Sequence, residues 1–98
     1  MYKCVLTIEA EEDIVRIYEY GFAKFGSVQA ELYYDMLFDC FDKIAFNPYL
    51  FPAAEQIKKD YRYCVCGVDT IYYKIISEEL VEITTIIGRQ DFDRSSLI

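Results

Sequence analysis

Apolar positions change their spacing twice along the chain. Residues 2–8 (YKCVLTI) form a β-branched and aromatic run, the pattern of a short buried strand. From Ala10 onward the pattern changes. Ala10, Ile14, Ile17, Tyr18, Gly21, Phe22 and Phe25 recur at three- and four-residue steps. That spacing predicts one apolar stripe of a helix over 9–25. Thr7 is placed to cap it, and Glu9, Glu11, Glu12 and Asp13 suit the positive end of its dipole. Gly26 ends this helix, and Ser27 is predicted to cap a second one. Tyr34, Leu37, Phe38, Phe41, Ile44 and Ala45 carry its stripe as far as Asn47-Pro48. So tight a junction predicts an antiparallel helical hairpin.

Residues 48–60 read as a connector, with Pro48 and Pro52 limiting regular structure. Three strand-like runs follow, over 61–66 (YRYCVC), 70–76 (TIYYKII) and 80–87 (LVEITTII). Their short connections predict an antiparallel meander. Residues 91–98 carry no pattern. The expected fold is α+β in two layers, as one domain over 1–98: an N-terminal strand, then the helical hairpin, then the three-stranded meander. The hairpin packs on one face of a four-stranded sheet and leaves the other open. Arg62, Cys64, Cys66, Tyr72 and Lys74 are candidates for the open face, though strand parity is not set by sequence.

Composition narrows the classes. Of 98 residues, 54% are hydrophobic and 28% charged, which excludes a disordered chain. Area scaling allows about 65% of the unfolded surface to be buried, enough for one core. No uncharged apolar run approaches the roughly 20 residues of a membrane span. The start, MYKCVLTIEAEED, has no secretory-signal pattern, so a cytoplasmic location is expected. The formal net charge of −7 repels phosphate and argues against direct nucleic-acid binding. One window departs from this trend, where Lys58, Lys59, Arg62 and Lys74 outnumber Asp60 and Asp69.

The cysteines stand at 4, 40, 64 and 66, and the chain has no His. A C-x-C spacing without His does not supply a zinc site. They read as reduced, metal-free, small apolar residues, and no cofactor is expected.

Several segments together resemble the ParE branch of the RelE/ParE toxins of bacterial type II toxin–antitoxin modules. These are V-L-T-I-E-A-E-E-D-I at 5–14, the N-P after the second helix, Y-R-Y-C-V-C-G at 61–67, I-Y-Y-K at 71–74 and G-R-Q-D at 88–91. The resemblance covers about Val5 to Asp91. It implies a toxin that binds DNA gyrase and is neutralised by a cognate antitoxin, and it leaves a homodimer open. The sequence departs from the family pattern at Ile8, where relatives often have Pro. It departs again at Asp69 and Ile87, where they often have His, and at Thr84 and Lys74, where they often have Arg. Such toxins are usually basic, and this chain is not.

The RelE branch cuts mRNA on the ribosome, which needs a base, an acid and cations around the phosphate. Relatives with that activity carry a Tyr or His near the C-terminus, and 92–98 (FDRSSLI) has neither. A protein-binding inhibitor is therefore expected, without catalytic residues. The alternatives are a RelE-type endoribonuclease and a degenerate toxin that only binds antitoxin. Arg62, Lys74 and Arg89 are the expected target-binding cations. Ten Tyr and seven Phe exceed what so small a core hides. Tyr18, Phe22, Tyr61, Tyr63 and Tyr72 are the expected partner-binding aromatics, along the hairpin and an open sheet edge.

Overall fold

Thr7 closes the first strand and opens the first helix. Its N–H donates to Ile83 O at 3.1 Å. Its side-chain oxygen accepts from Ala10 N–H at 3.0 Å and its hydroxyl donates to Thr84 O at 2.7 Å. The cap predicted from sequence is thus present, and it also ties the helix start to the sheet. Because Thr7 caps, the strand before it ends at Leu6.

The computed structural model describes residues 1–88. The elements are β1 (Lys3–Leu6), α1 (Ile8–Phe25), α2 (Ser27–Phe46), a 3₁₀ turn (Pro48–Leu50), β2 (Tyr61–Cys66), β3 (Asp69–Ile75) and β4 (Leu80–Gly88). The predicted order and types hold, and strand ends move by one or two residues. Ser27 is not the cap of α2: Gly26 occupies that position with φ +89°, and no side chain caps the helix. A left-handed φ is open to glycine at little cost, so the chain reverses there before Ser27.

The sheet order is β1-β4-β3-β2. β2, β3 and β4 form the predicted antiparallel meander, while β1 pairs in parallel with β4. Arg62 stands opposite Tyr73, Cys64 opposite Ile71 and Cys66 opposite Asp69. Residues opposite one another share a face. This row packs under the helices with Val81, Ile83 and Ile86, against Ala10, Ile14, Leu37, Phe41 and Ile44. The other row pairs Tyr61 with Lys74 and Tyr63 with Tyr72.

The residues proposed for the open face therefore divide. Tyr72 and Lys74 stand on it. Arg62, Cys64 and Cys66 do not: they share the parity of Ile71 and Tyr73, which buries both cysteines in the core and leaves Arg62 half-buried at the end of that row.

The β3–β4 register slips between Tyr72 and Tyr73. Such a bulge lets Thr85 and Ile86, neighbours in sequence, both reach the helix side. Asp13 of α1 meets them there. Its Oδ2 accepts from Thr85 Oγ1 at 2.7 Å and from Ile86 N–H at 3.0 Å. Arg16 donates to Asp13 Oδ1 at 3.4 Å and to Ile86 O at 3.2 Å.

Candidate functional site

The hairpin presents aromatic rings to solvent along the seam between its helices. Phe22 lies 6.3 Å from Tyr18, Tyr18 lies 6.1 Å from Tyr34, Tyr34 lies 4.7 Å from Phe38, and Phe38 lies 5.0 Å from Phe41, all between ring centroids. Only Phe41 is buried; Phe22 is 52% exposed, Tyr34 40% and Phe38 36%. The apolar stripe is wider than the sheet can cover, so its outer rows remain in water. Two expected partner-binding residues, Tyr18 and Phe22, belong to this ladder. Tyr34 and Phe38 complete it, and sequence periodicity had assigned them to the stripe facing the core.

A second cluster forms where β2 and β3 begin and end. Arg62 Nη1 donates to Phe51 O at 2.6 Å, and its guanidinium lies 5.2 Å from the centre of the Tyr49 ring. A carbonyl and a ring thus hold it. Arg62 and Lys74 line one cavity of about 270 Å³ together with Tyr49, Glu55, Asp60 and Tyr61. Two of the three expected target-binding cations are brought together. The third, Arg89, lies outside the described residues.

The connector covers part of the adjoining edge. Tyr63 N–H donates to Pro52 O at 3.1 Å and Ala54 N–H to Tyr61 O at 2.7 Å. The β2 edge is thus paired along Tyr61–Tyr63 and not open there. Tyr61 is buried, with the Lys58 ammonium 5.8 Å from its ring centre. Tyr63 and Tyr72 are half-buried on the open sheet face, with ring centroids 6.4 Å apart. Burial raises the Tyr72 hydroxyl above its ordinary pKa, and Tyr63 adds to the effect.

A cleft of about 610 Å³ opens under the tip of the hairpin, lined by Ile17, Tyr20, Phe25, Leu32, Met36 and Val68 among others. Sequence reasoning missed it, because it arises where the helices overhang the β2–β3 turn. Tyr33 braces that turn. Its hydroxyl lies 2.5 Å from Asp69 Oδ2 and 3.0 Å from Cys66 O, and accepts from Val68 N–H at 3.2 Å. Burial, followed by the Asp69 carboxylate, holds the Tyr33 hydroxyl well above its ordinary pKa.

Cys40 and Cys66 meet in the core, sulfur to sulfur at 2.8 Å, and all four cysteines are free thiols. Burial pushes the Cys64 thiol up to about 11, with Cys40 adding to the effect. Burial likewise raises Cys66 and Cys4. Among the described residues, no group of three or more His, Cys, Asp or Glu is arranged to hold a metal ion. No helix among them is long and apolar enough to cross a membrane.

These surfaces have relatives. The chain is 27% identical over 92 residues to "Toxin ParE1" of Mycobacterium tuberculosis, in both strains CDC 1551 / Oshkosh and ATCC 25618 / H37Rv, covering 93% of this chain and 94% of the relative. Its fold superposes on a chain of the "Chromosomal ParDE TA system from P. aeruginosa" with a TM-score of 0.78 at 12% identity, covering 90% of this chain and 96% of that one. The family model for the ParE toxin of the type II toxin–antitoxin system, parDE, matches residues 5–91, and the chain belongs to that family.

Proposed function

We propose that this toxin acts by binding DNA gyrase and stalling its cycle, that a cognate antitoxin neutralises it, and that it works as a cytoplasmic binding protein, not an enzyme. Family membership supports the antitoxin partner. The observation that carries the rest is the pairing of Arg62 and Lys74 in one cavity whose other lining includes Glu55 and Asp60. Cations interleaved with carboxylates suit a mixed protein surface. An RNA backbone needs uncompensated positive charge, and the chain is at −7. Arg62 is pre-oriented by Phe51 O and Tyr49, so little side-chain freedom is lost when it meets a carboxylate. Arg62, Lys74 and Arg89 form the target contact in this reading. Tyr18, Phe22, Tyr63 and Tyr72, with Tyr61 beneath Lys58, belong to the partner contact.

Gyrase supercoiling in vitro, run beside mRNA cleavage in a translating extract, tests it. Inhibited supercoiling with intact mRNA supports the reading. Codon-dependent cuts with unaffected gyrase establish the endoribonuclease. Silence in both leaves a toxin that only binds antitoxin. Arg62→Ala should weaken inhibition by about fivefold or more, since a hot-spot Arg at an interface centre carries over about 1 kcal/mol.

A further inference from the structure

The aromatic seam on the outside of the hairpin has a charge pattern of its own. Glu19 stands one turn from Phe22 on α1, and Glu11 one turn from the exposed Val15. On α2, Glu31 stands one turn before Tyr34, and Asp35 and Asp42 stand one turn to either side of Phe38. All five carboxylates are exposed. The bases of the hairpin are drawn elsewhere. Arg16 reaches under α1 to Asp13 and Ile86 O. Lys24 lies over Tyr20 and Phe25 at the tip. Lys43 stands exposed in the last turn of α2. The seam is thus an apolar strip between two acidic rows.

We infer that this seam is the docking face for a cationic amphipathic segment of the antitoxin, whose apolar ridge lies along Phe22, Tyr18, Tyr34 and Phe38 and whose Lys and Arg residues face the acidic rows on both sides. The inference rests on the toxin reading above and adds the polarity of the partner to it. Charge complementarity selects the occupant. A segment with acidic flanks would bring like charges together on both sides, at a cost that burial of the ridge does not remove. A second copy of this chain would meet the same acidic rows with its own. The rings pack on one another, so the ridge needs little ordering to bind. Arg or Lys at the flanks can also reach the exposed ring of Tyr34.

Fluorescence anisotropy with the full chain and two synthetic helical peptides tests this. Both peptides carry one Leu ridge; one has Lys flanks and the other Glu flanks. The Lys peptide should bind about tenfold tighter or more in low salt, with the advantage shrinking as salt screens the rows. Glu19→Lys combined with Glu31→Lys should reverse the preference. Phe38→Asp should abolish binding of the Lys peptide with helical content unchanged by circular dichroism. Glu78→Lys with Glu79→Lys, on the remote β3–β4 turn, should change nothing. Equal affinity for the two peptides, preference for the Glu peptide, or an effect of the remote pair as large as that of the hairpin pair would overturn the inference. So would a chain that is already a dimer through this seam, made monomeric by Phe38→Asp. None of these readouts involves gyrase, so a chain that stalls gyrase but fails here loses the proposed docking of a cationic segment on the seam and keeps the toxin reading.

Discussion

At Gly67 a Cβ would stand 2.8 Å from both Cε1 and the hydroxyl of Tyr33, and the backbone is left-handed at φ +61°. Both facts oppose a side chain. Gly67→Ala should therefore cost about 1–3 kcal/mol, read by urea unfolding. The same change at Gly26, where nothing lies within 4 Å of the would-be Cβ, meets only the backbone term and should cost less. The buried thiols give a pH signature. Cys64 is held up to about 11 against an ordinary 9.0, so the folded chain favours the protonated form. That contribution is present in full below pH 9 and is lost as pH rises through the folded value. Stability should be flat from pH 7 to 8.5 and fall above pH 9, by chemical unfolding at fixed salt. Cys64→Ala should make that fall shallower, and an unchanged slope would refute the assignment.

Asp13 shows how an element is fixed in place. It sits on the core side of α1 with 3% exposure and takes two donors from β4. Removing it strands Thr85 Oγ1 and Ile86 N–H in the interior. Asp13→Ala should cost about 2–4 kcal/mol, against about 1 kcal/mol for loss of the Thr7 cap in Thr7→Ala. Equal losses in thermal or urea unfolding would show that the bulge contact is solvated. These contacts also mark where sequence reading succeeds and stops. Both helices were legible because their apolar residues recur over many turns, and Thr7 was legible because a Thr before an acidic turn is a local signal. The parity of β2 was not, since Arg62, Cys64 and Cys66 are no more apolar than Tyr61, Tyr63 and Val65. Only pairing with Ile71 and Tyr73 decides which row faces the helices. The register slip, the parallel return of β1 to β4 and the cover of residues 52–54 over the β2 edge are all long-range. The cleft beneath the tip depends on helix overhang, which no local pattern encodes. At the candidate site, the excess of Tyr and Phe was legible as aromatic surface left outside the core. The seam geometry that adds Tyr34 and Phe38 to it, and the bracing of Arg62 by a carbonyl and a ring, required coordinates.

For the whole molecule, charge and apolar exposure act in opposite directions. The chain is at −7, and the outer face of the hairpin is both aromatic and acidic. In low salt, two copies approaching seam to seam repel through those rows, and the Debye length of about 10 Å at 0.1 M reaches across such a contact. The exposed rings supply an attraction that salt does not weaken. Self-association of the free toxin should therefore grow with ionic strength, a monomer in dilute buffer giving way to a larger average mass toward about 1 M NaCl. Binding of a cationic partner segment should run the other way and weaken over the same range. Light scattering coupled to size exclusion across a salt series measures the first slope, and the anisotropy titration measures the second. If both fell with salt, self-association would have to be electrostatic. The acidic rows would then be matched by a cationic surface on the same chain, with Arg62, Lys74 and Lys58 as the patch to test by charge reversal.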